Sequence, residues 1–249
     1  MKKIFFIVAI VAFASSCKKD KTAPEAAVLF NKNLVSMTSP GQGEWNMFYT
    51  NNHRLLSFSA GTRTINYKPG VPFSAKKTEA GLANVEYKNS VQDANGRVIK
   101  LDYYNGAVLS GKYEFTYDEQ GYLVKAVKTA ANPYKVAAYV YAYNGGNLVS
   151  ITASNNGVVE GSFVFDYYPD LINPLHIDLF EFKSIDIVTD DHFGRQSKNL
   201  VKQVKLLSKD GQTFFSTDLS YTLDEAGYLK TITATAVGQA PTVYSCNFQ

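Results

Sequence analysis

An all-β fold, an antiparallel meander of repeated β-hairpins forming one large curved sheet or part-closed barrel, is the fold class that this sequence predicts. Three observations carry it. Turn signals recur along the chain at Asn51-Asn52, Asn95-Gly96, Asn105-Gly106, Asp118 to Gly121, Asn132-Pro133, Asn144 to Gly146, Asn155 to Gly157, Asp210-Gly211 and Asp224 to Gly227. Between them lie strand-length runs rich in Tyr, Phe, Val and Thr, and Asn-Gly or Asp-Gly supplies the positive φ of a tight hairpin. Gly96, Gly121 and Gly146 are spaced by 25 residues, as are Val98, Leu123 and Leu148, so the repeating unit is one hairpin long.

The chain opens on MKKIFFIVAIVAFASSC. Two lysines, an apolar run and small residues before a cysteine predict a signal peptide over residues 1–16, too short for a membrane span. The pattern resembles the lipobox of bacterial lipoproteins, which makes Cys17 the expected lipidation site, although Ala14 stands where leucine is usual. Several acyl chains on one residue make a stable anchor, where one chain binds marginally. Residues 17–27 read as a lipidated tether of mixed charge, alanine and proline without periodicity. Residues 28–249 are expected to form a single hairpin-repeat domain, whose one helical pattern lies within Asn31–Met37.

Processing leaves 23 basic against 22 acidic side chains. Such a balance asks for no nucleic acid or other polyanion. With Cys17 acylated, Cys246 is the only thiol remaining, so no internal disulfide is expected despite export and the core must hold the fold.

Within the domain the aromatics keep step with the repeat: Tyr113, Phe115 and Tyr117 correspond to Tyr139, Tyr141 and Tyr143, then to Phe163, Phe165 and Tyr167. The turn with its following strand returns as Asp224, Glu225, Gly227, Tyr228 and Leu229, matching Asp118, Glu119, Gly121, Tyr122 and Leu123. A lone hairpin cannot bury its apolar face, so serial hairpins share one core. Gly96, Asp118, Gly121, Gly146, Asp224 and Gly227 are therefore assigned to turns. Aspartate opens each turn by accepting backbone N–H bonds, and glycine takes the left-handed position three places later.

The run Tyr117-Asp118-Glu119-Gln120-Gly121-Tyr122-Leu123 resembles the tyrosine-aspartate repeat of the Rhs family. Together with the lipoprotein signal and serial hairpins, it is similar to a large family of secreted Bacteroidetes lipoproteins of unknown function. The stretch His192-Phe193-Gly194-Arg195-Gln196-Ser197-Lys198-Asn199-Leu200 is similar to a Gly-x-x-Ser-Lys-Asn-Leu segment such proteins carry. The resemblance spans about Asn84 to Ala236 and is loosest at "SVQDANGRVIK", which lacks the tyrosine. It implies a porin-like fold and an envelope location, with the outer membrane as the expected site and its face left open, but no activity.

Alternation places Ile99, Leu101 and Tyr103 opposite Lys100 and Asp102, and the aromatics of 113–117 opposite Glu114 and Thr116. One apolar and one wet face suit a soluble curved sheet or a membrane barrel equally. Strict alternation also puts Lys125 beside Leu123 and Val127, and Lys128 beside Val124 and Ala126. A lysine at mid-bilayer depth costs roughly 2–4 kcal/mol, and the connections read as short, so a lipid-tethered sheet is preferred to an inserted barrel.

Candidate chemistry is sparse. Asp190, Asp191 and His192 could together ligate a divalent metal, but consecutive residues of an extended chain point apart. No Gly-x-Ser-x-Gly, phosphate loop or calcium loop is present, and no cofactor is expected. Trp45, outside the repeat register, is the one candidate for stacking on a sugar; core packing is its competing role. The function expected is a non-enzymatic binding or envelope component, partnered by the membrane through its lipid and by a glycan or envelope protein. The alternatives are a carbohydrate-binding or carbohydrate-processing accessory and an outer-membrane β-barrel.

Overall fold

The computed structural model describes residues 30–249 apart from 42, 132, 182 and 184–186. The signal peptide, Cys17, the tether and turn residue Asn132 lie outside the described residues. Sixteen strands follow one another: Leu34–Ser39 (β1), Gly43–Tyr49 (β2), Leu55–Ala60 (β3), Arg63–Lys68 (β4), Ser74–Glu79 (β5), Val85–Gln92 (β6), Val98–Asn105 (β7) and Val108–Tyr117 (β8). The second half comprises Leu123–Ala131 (β9), Tyr134–Asn144 (β10), Asn147–Asn155 (β11), Val158–Ile172 (β12), Asn199–Ser208 (β13), Thr213–Leu223 (β14), Leu229–Ala236 (β15) and Thr242–Phe248 (β16).

Each strand pairs antiparallel with its sequence neighbours, and β1 pairs with β16 to close the barrel. Closure removes both sheet edges. It also explains why Asn31–Met37 is not helical: Asn33 exchanges backbone bonds with Gln249, and Met37 lies opposite both Cys246 and Trp45. The long-range ladder overrides local helical preference.

A bulge recurs at the start of the strand that follows a turn. The register skips one residue at Leu56, Ile99, Val124, Val149, Lys202 and Lys230, in β3, β7, β9, β11, β13 and β15. An extra residue shifts the side-chain phase, so two inward residues stand three apart instead of two. Thus Leu55 and Phe58, Val98 and Leu101, Leu123 and Ala126, and Leu148 and Ile151 are all buried. The faces expected from strict alternation are corrected accordingly. Leu123, Ala126 and Lys128 point inward while Lys125 and Val127 point outward, and Val98 rather than Ile99 joins Leu101. Lys128 is accommodated inside because its ammonium stands 4.7 Å from the Tyr103 ring centre and 5.3 Å from that of Tyr113.

A bulge leaves a backbone group without its ladder partner, and buried carbonyls need one. Tyrosines of later strands supply it: the hydroxyls of Tyr117, Tyr167 and Tyr221 donate to the carbonyls of Val98, Leu148 and Val201 at 2.8, 2.7 and 2.6 Å. The tyrosine before one turn and the apolar residue after the preceding turn at the same end are thus two halves of one device.

Barrels of this strand number can hold an aqueous channel. Here the inward face carries Met37, Met47, Tyr87, Tyr113, Phe115 and Ile151, all buried. Residues 173–198, the long connection from β12 to β13, enter one end and bury Ile177, Ile187 and Phe193 among them. Phe193 meets Phe73 and Phe115 edge-on at 5.4 and 5.3 Å. The expectation of uniformly short connections fails at this segment, whose apolar side chains fill volume the wall alone cannot.

The outward rows are mostly polar. Lys100 pairs with Glu114 at 3.1 Å, Glu86 lies between Lys76 and Lys88, and Thr222 bonds Thr231 at 2.7 Å. The rows are interrupted by apolar residues, among them Phe48 on β2, Val159 on β12 and, on β10, Ala138, Val140 and Ala142.

Candidate functional site at the plugged end

Turns 93–97, 118–122 and 224–228 lie at the end that residues 173–198 occupy. In each, an aspartate Oδ1 accepts backbone N–H bonds: Asp93 from Asn95 and Arg97, Asp118 from Tyr122, and Asp224 from Ala226 and Tyr228. Gly96, Gly121 and Gly227 hold φ values of +77°, +91° and +86°, which glycine alone adopts without strain. Gly146 holds +85° in the corresponding turn between β10 and β11.

The plug docks on these turns. Arg195 N–H donates to Gly121 O at 3.1 Å, and Lys198 N–H to Gly146 O at 3.0 Å. Ser197 Oγ accepts from Leu148 N–H at 2.9 Å, and Asn199 accepts from Asn147 Nδ2 on its Oδ1 while its backbone N–H donates to Asn147 Oδ1. Gly194, at φ +88°, passes so close that a Cβ there would stand 2.9 Å from Gly121 O and 3.0 Å from the Tyr117 ring. Within the Gly-x-x-Ser-Lys-Asn-Leu stretch, Arg195 and Lys198 thus dock through backbone N–H groups and Ser197 and Asn199 through side chains, while the Gln196 amide faces Lys183.

Beneath the docking strip lies a buried charge cluster. Lys183 Nζ contacts Glu181 Oε2 at 3.3 Å and donates to Arg195 O and Gln196 Oε1. The Tyr167 hydroxyl shares its single proton between Leu148 O at 2.7 Å and Glu181 Oε1 at 2.9 Å. Asp178 accepts from the backbone N–H groups of Phe180, Glu181 and Lys183. Burial pushes its carboxyl up to about 6; Lys183 opposes the rise and Glu181 adds to it.

The three residues singled out for metal binding do not converge. Asp190 Oδ1 bonds His192 Nδ1 at 2.7 Å, and Asp190 Oδ2 accepts from Leu55 N–H, tying plug to wall. Burial works to raise the Asp190 carboxyl, but the bonds and charge of His192 hold it below the ordinary carboxylate range. Asp191 turns instead to a surface cleft, where burial and the neighbouring Asp190 charge raise its carboxyl. Among the described residues, no group of three or more His, Cys, Asp and Glu is arranged to hold a metal.

That cleft, about 410 Å³, is lined by Arg54, Arg97 and Arg195 together with Glu119 and Asp191. Arg97 is held by Asp93 and stands 4.6 Å from the Tyr117 ring centre, whereas Arg54 Nη1 is buried without a hydrogen-bond partner. The arrangement suits a polar, charged ligand. Sequence reasoning missed it, because the three arginines lie on separate loops that only the barrel gathers. Trp45 is half-buried inside the wall against Phe58 and Tyr244, at ring distances of 5.8 and 5.6 Å. Cys246 is half-buried on β16, and burial pushes its thiol up to about 12, far from a reactive thiolate.

No family model and no curated protein matches this chain. Among solved structures it is similar to a porin-like protein from Bacteroides uniformis ATCC 8492, with 15% identity and a TM-score of 0.64, covering 88% of this chain and 96% of that one. It is also similar to a porin-like protein from Bacteroides vulgatus ATCC 8482, with 16% identity and a TM-score of 0.55, covering 86% of this chain and 98% of that one. At such identity the likeness concerns the fold, and it agrees with a barrel, the architecture named by the outer-membrane alternative, rather than with an open sheet.

Proposed function

We propose that this chain is a non-enzymatic component of the bacterial cell envelope: a closed, plugged barrel tethered through lipid on Cys17, which presents its plugged end as a ligand-binding surface. The observation that carries this reading is the inversion of polarity. Charged pairs such as Lys100–Glu114 face outward while phenylalanine, tyrosine and leucine fill the interior. A spanning barrel needs an outward apolar band about 25 Å tall, and each lysine at its middle costs roughly 2–4 kcal/mol. The packed lumen supports a binding role over conduction. The arginine-lined cleft supports a charged ligand, such as an acidic glycan or an acidic segment of an envelope protein.

The likeness to porin-like proteins favours a second reading, a barrel inserted in the outer membrane. Carbonate extraction of the Cys17→Ala chain separates the two. Release into the soluble fraction is expected for a tethered barrel, and retention in the membrane pellet would favour the inserted one. Incorporation of labelled palmitate into the wild type but not into Cys17→Ala is the expected mark of the anchor.

A further inference from the structure

The outward face of the wall changes character around the seam. On β5 to β8 it is charged, and Lys76, Glu86, Lys88, Lys100 and Glu114 stand there in ion pairs. Across the seam the ladders instead set Asn247, Ser36, Asn46, Ser59, Thr64 and Thr78 abreast, one from each of β16, β1, β2, β3, β4 and β5. The alternation that buries Met37, Met47, Phe58 and Ile65 turns these side chains outward. They repeat at the strand spacing of about 4.8 Å and offer donors and acceptors without charge. At its end on β16, β1 and β2 the row runs into a groove of about 500 Å³, lined by Asn247, Ser36 and Asn46 together with Asn51 and Phe48, whose surface is 62% exposed. No side chain lining the groove carries charge at neutral pH. Among the described residues, no hydrogen bond engages the side chains of Ser36, Asn46 or Asn247. Thr50 Oγ1 accepts from the backbone N–H groups of Asn52 and Arg54, so the loop that bounds the groove is braced in place.

We infer that this face binds an uncharged glycan chain, with one pyranose ring stacked on Phe48 and the hydroxyls of that ring and its neighbours bonded along the row. A pyranose presents an apolar C–H face and a rim of neutral hydroxyls that both donate and accept. Phe48 suits the face, and asparagine, which pairs a donor with an acceptor, suits adjacent hydroxyls. Three features select this occupant. An acidic or basic ligand finds no counter-charge in the row, and the arginine cleft shares no residue with the groove. A peptide strand finds no free edge to join, because β16, β1 and β2 are each paired on both sides. A lipid or other apolar ligand would leave the surrounding amides and hydroxyls unpaired. Trp45 cannot supply the stacking ring, since it packs inside on Phe58 and Tyr244; three residues further along β2, alternation brings Phe48 out. Each neutral hydrogen bond adds only about 0.5–1.5 kcal/mol, so affinity is built from several sugars along the row. Neither the lipid anchor nor the arginine cleft takes part.

The test uses the mature chain with Cys17→Ser in biolayer interferometry on immobilised laminarin, mannan, dextran and cellohexaose, all uncharged, with polygalacturonate as the acidic comparison. Binding to at least one of the four neutral glycans is expected, weakened about tenfold or more by Phe48→Ala and by Asn46→Ala. It should not change as sodium chloride is raised from about 0.05 to about 0.5 M, because no ion pair is involved. Both side chains face outward, so each variant should melt with the wild type; should Asn46→Ala fail to fold, Asn247→Ala at the same groove takes its place. Silence on all four neutral glycans overturns the proposal, as does binding that either substitution leaves at wild-type strength. Binding abolished by salt, or seen only on polygalacturonate, also overturns it and points to the arginine cleft instead. A cleft that binds no acidic ligand leaves this outcome independent.

Discussion

Asp118 shows how much of this molecule is decided by single side chains. Its Oδ1 takes the Tyr122 N–H at 2.8 Å, and its own N–H and C=O bond Tyr122 O and Gly121 N. Losing one such side-chain bond costs on the order of 1 kcal/mol. Asp118→Ala is therefore expected to lower the unfolding free energy by that amount, read as a lower urea midpoint at constant m; an unchanged midpoint would remove the role assigned to the carboxylate. Asp178 makes a prediction of the opposite kind. Its folded pKa is raised to about 6 from an ordinary 3.8, so the folded state binds the proton more tightly. The ionised group therefore costs stability above pH 6, and that cost is relieved as pH falls from 6 toward 4. The stability of wild type relative to Asp178→Asn should be greater at pH 4.5 than at pH 7.5, by roughly 1–2 kcal/mol. Denaturant titrations at the two pH values measure it, and a difference independent of pH would exclude the raised pKa.

At the scale of elements, the unit of construction is a turn, a bulge and a tyrosine that reaches across to an earlier bulge. The spacing of the glycines and aromatics made the hairpins legible in the sequence. The bulges were not legible, since a skipped residue at Val124 or Ile99 depends on which partner each strand meets, and alternation read locally put Lys125 on the wrong face. The plug is the other element that escaped. Its docking stretch was recognisable as a motif, but the turns that receive it lie about 50 and 75 residues upstream in sequence. Gly194 is the tightest point of that contact. Gly194→Ala places a Cβ against Gly121 O and strains a backbone at φ +88°, which costs about 1–3 kcal/mol. Faster hydrogen exchange confined to residues 187–198, with the wall strands still protected, is the expected result. Uniform loss of protection would mean that plug and wall unfold as one.

For the whole molecule, the seam between β1 and β16 converts a meander into a barrel, and the burial of Phe73, Phe115 and Phe193 together turns that barrel from a conduit into a body with a core. The amino-acid sequence alone determined the strand class, the hairpin repeat and the turn chemistry. These rest on φ preferences and hydrogen bonds between residues a few places apart, and such interactions are written locally. Closure, the inward or outward fate of each lysine, the anchoring of Asp190 to Leu55 and the gathering of Arg54, Arg97 and Arg195 were decided only by the tertiary structure. Each depends on contacts between distant segments, whose register is set when a continuous core must be filled and no strand edge can be left unpaired.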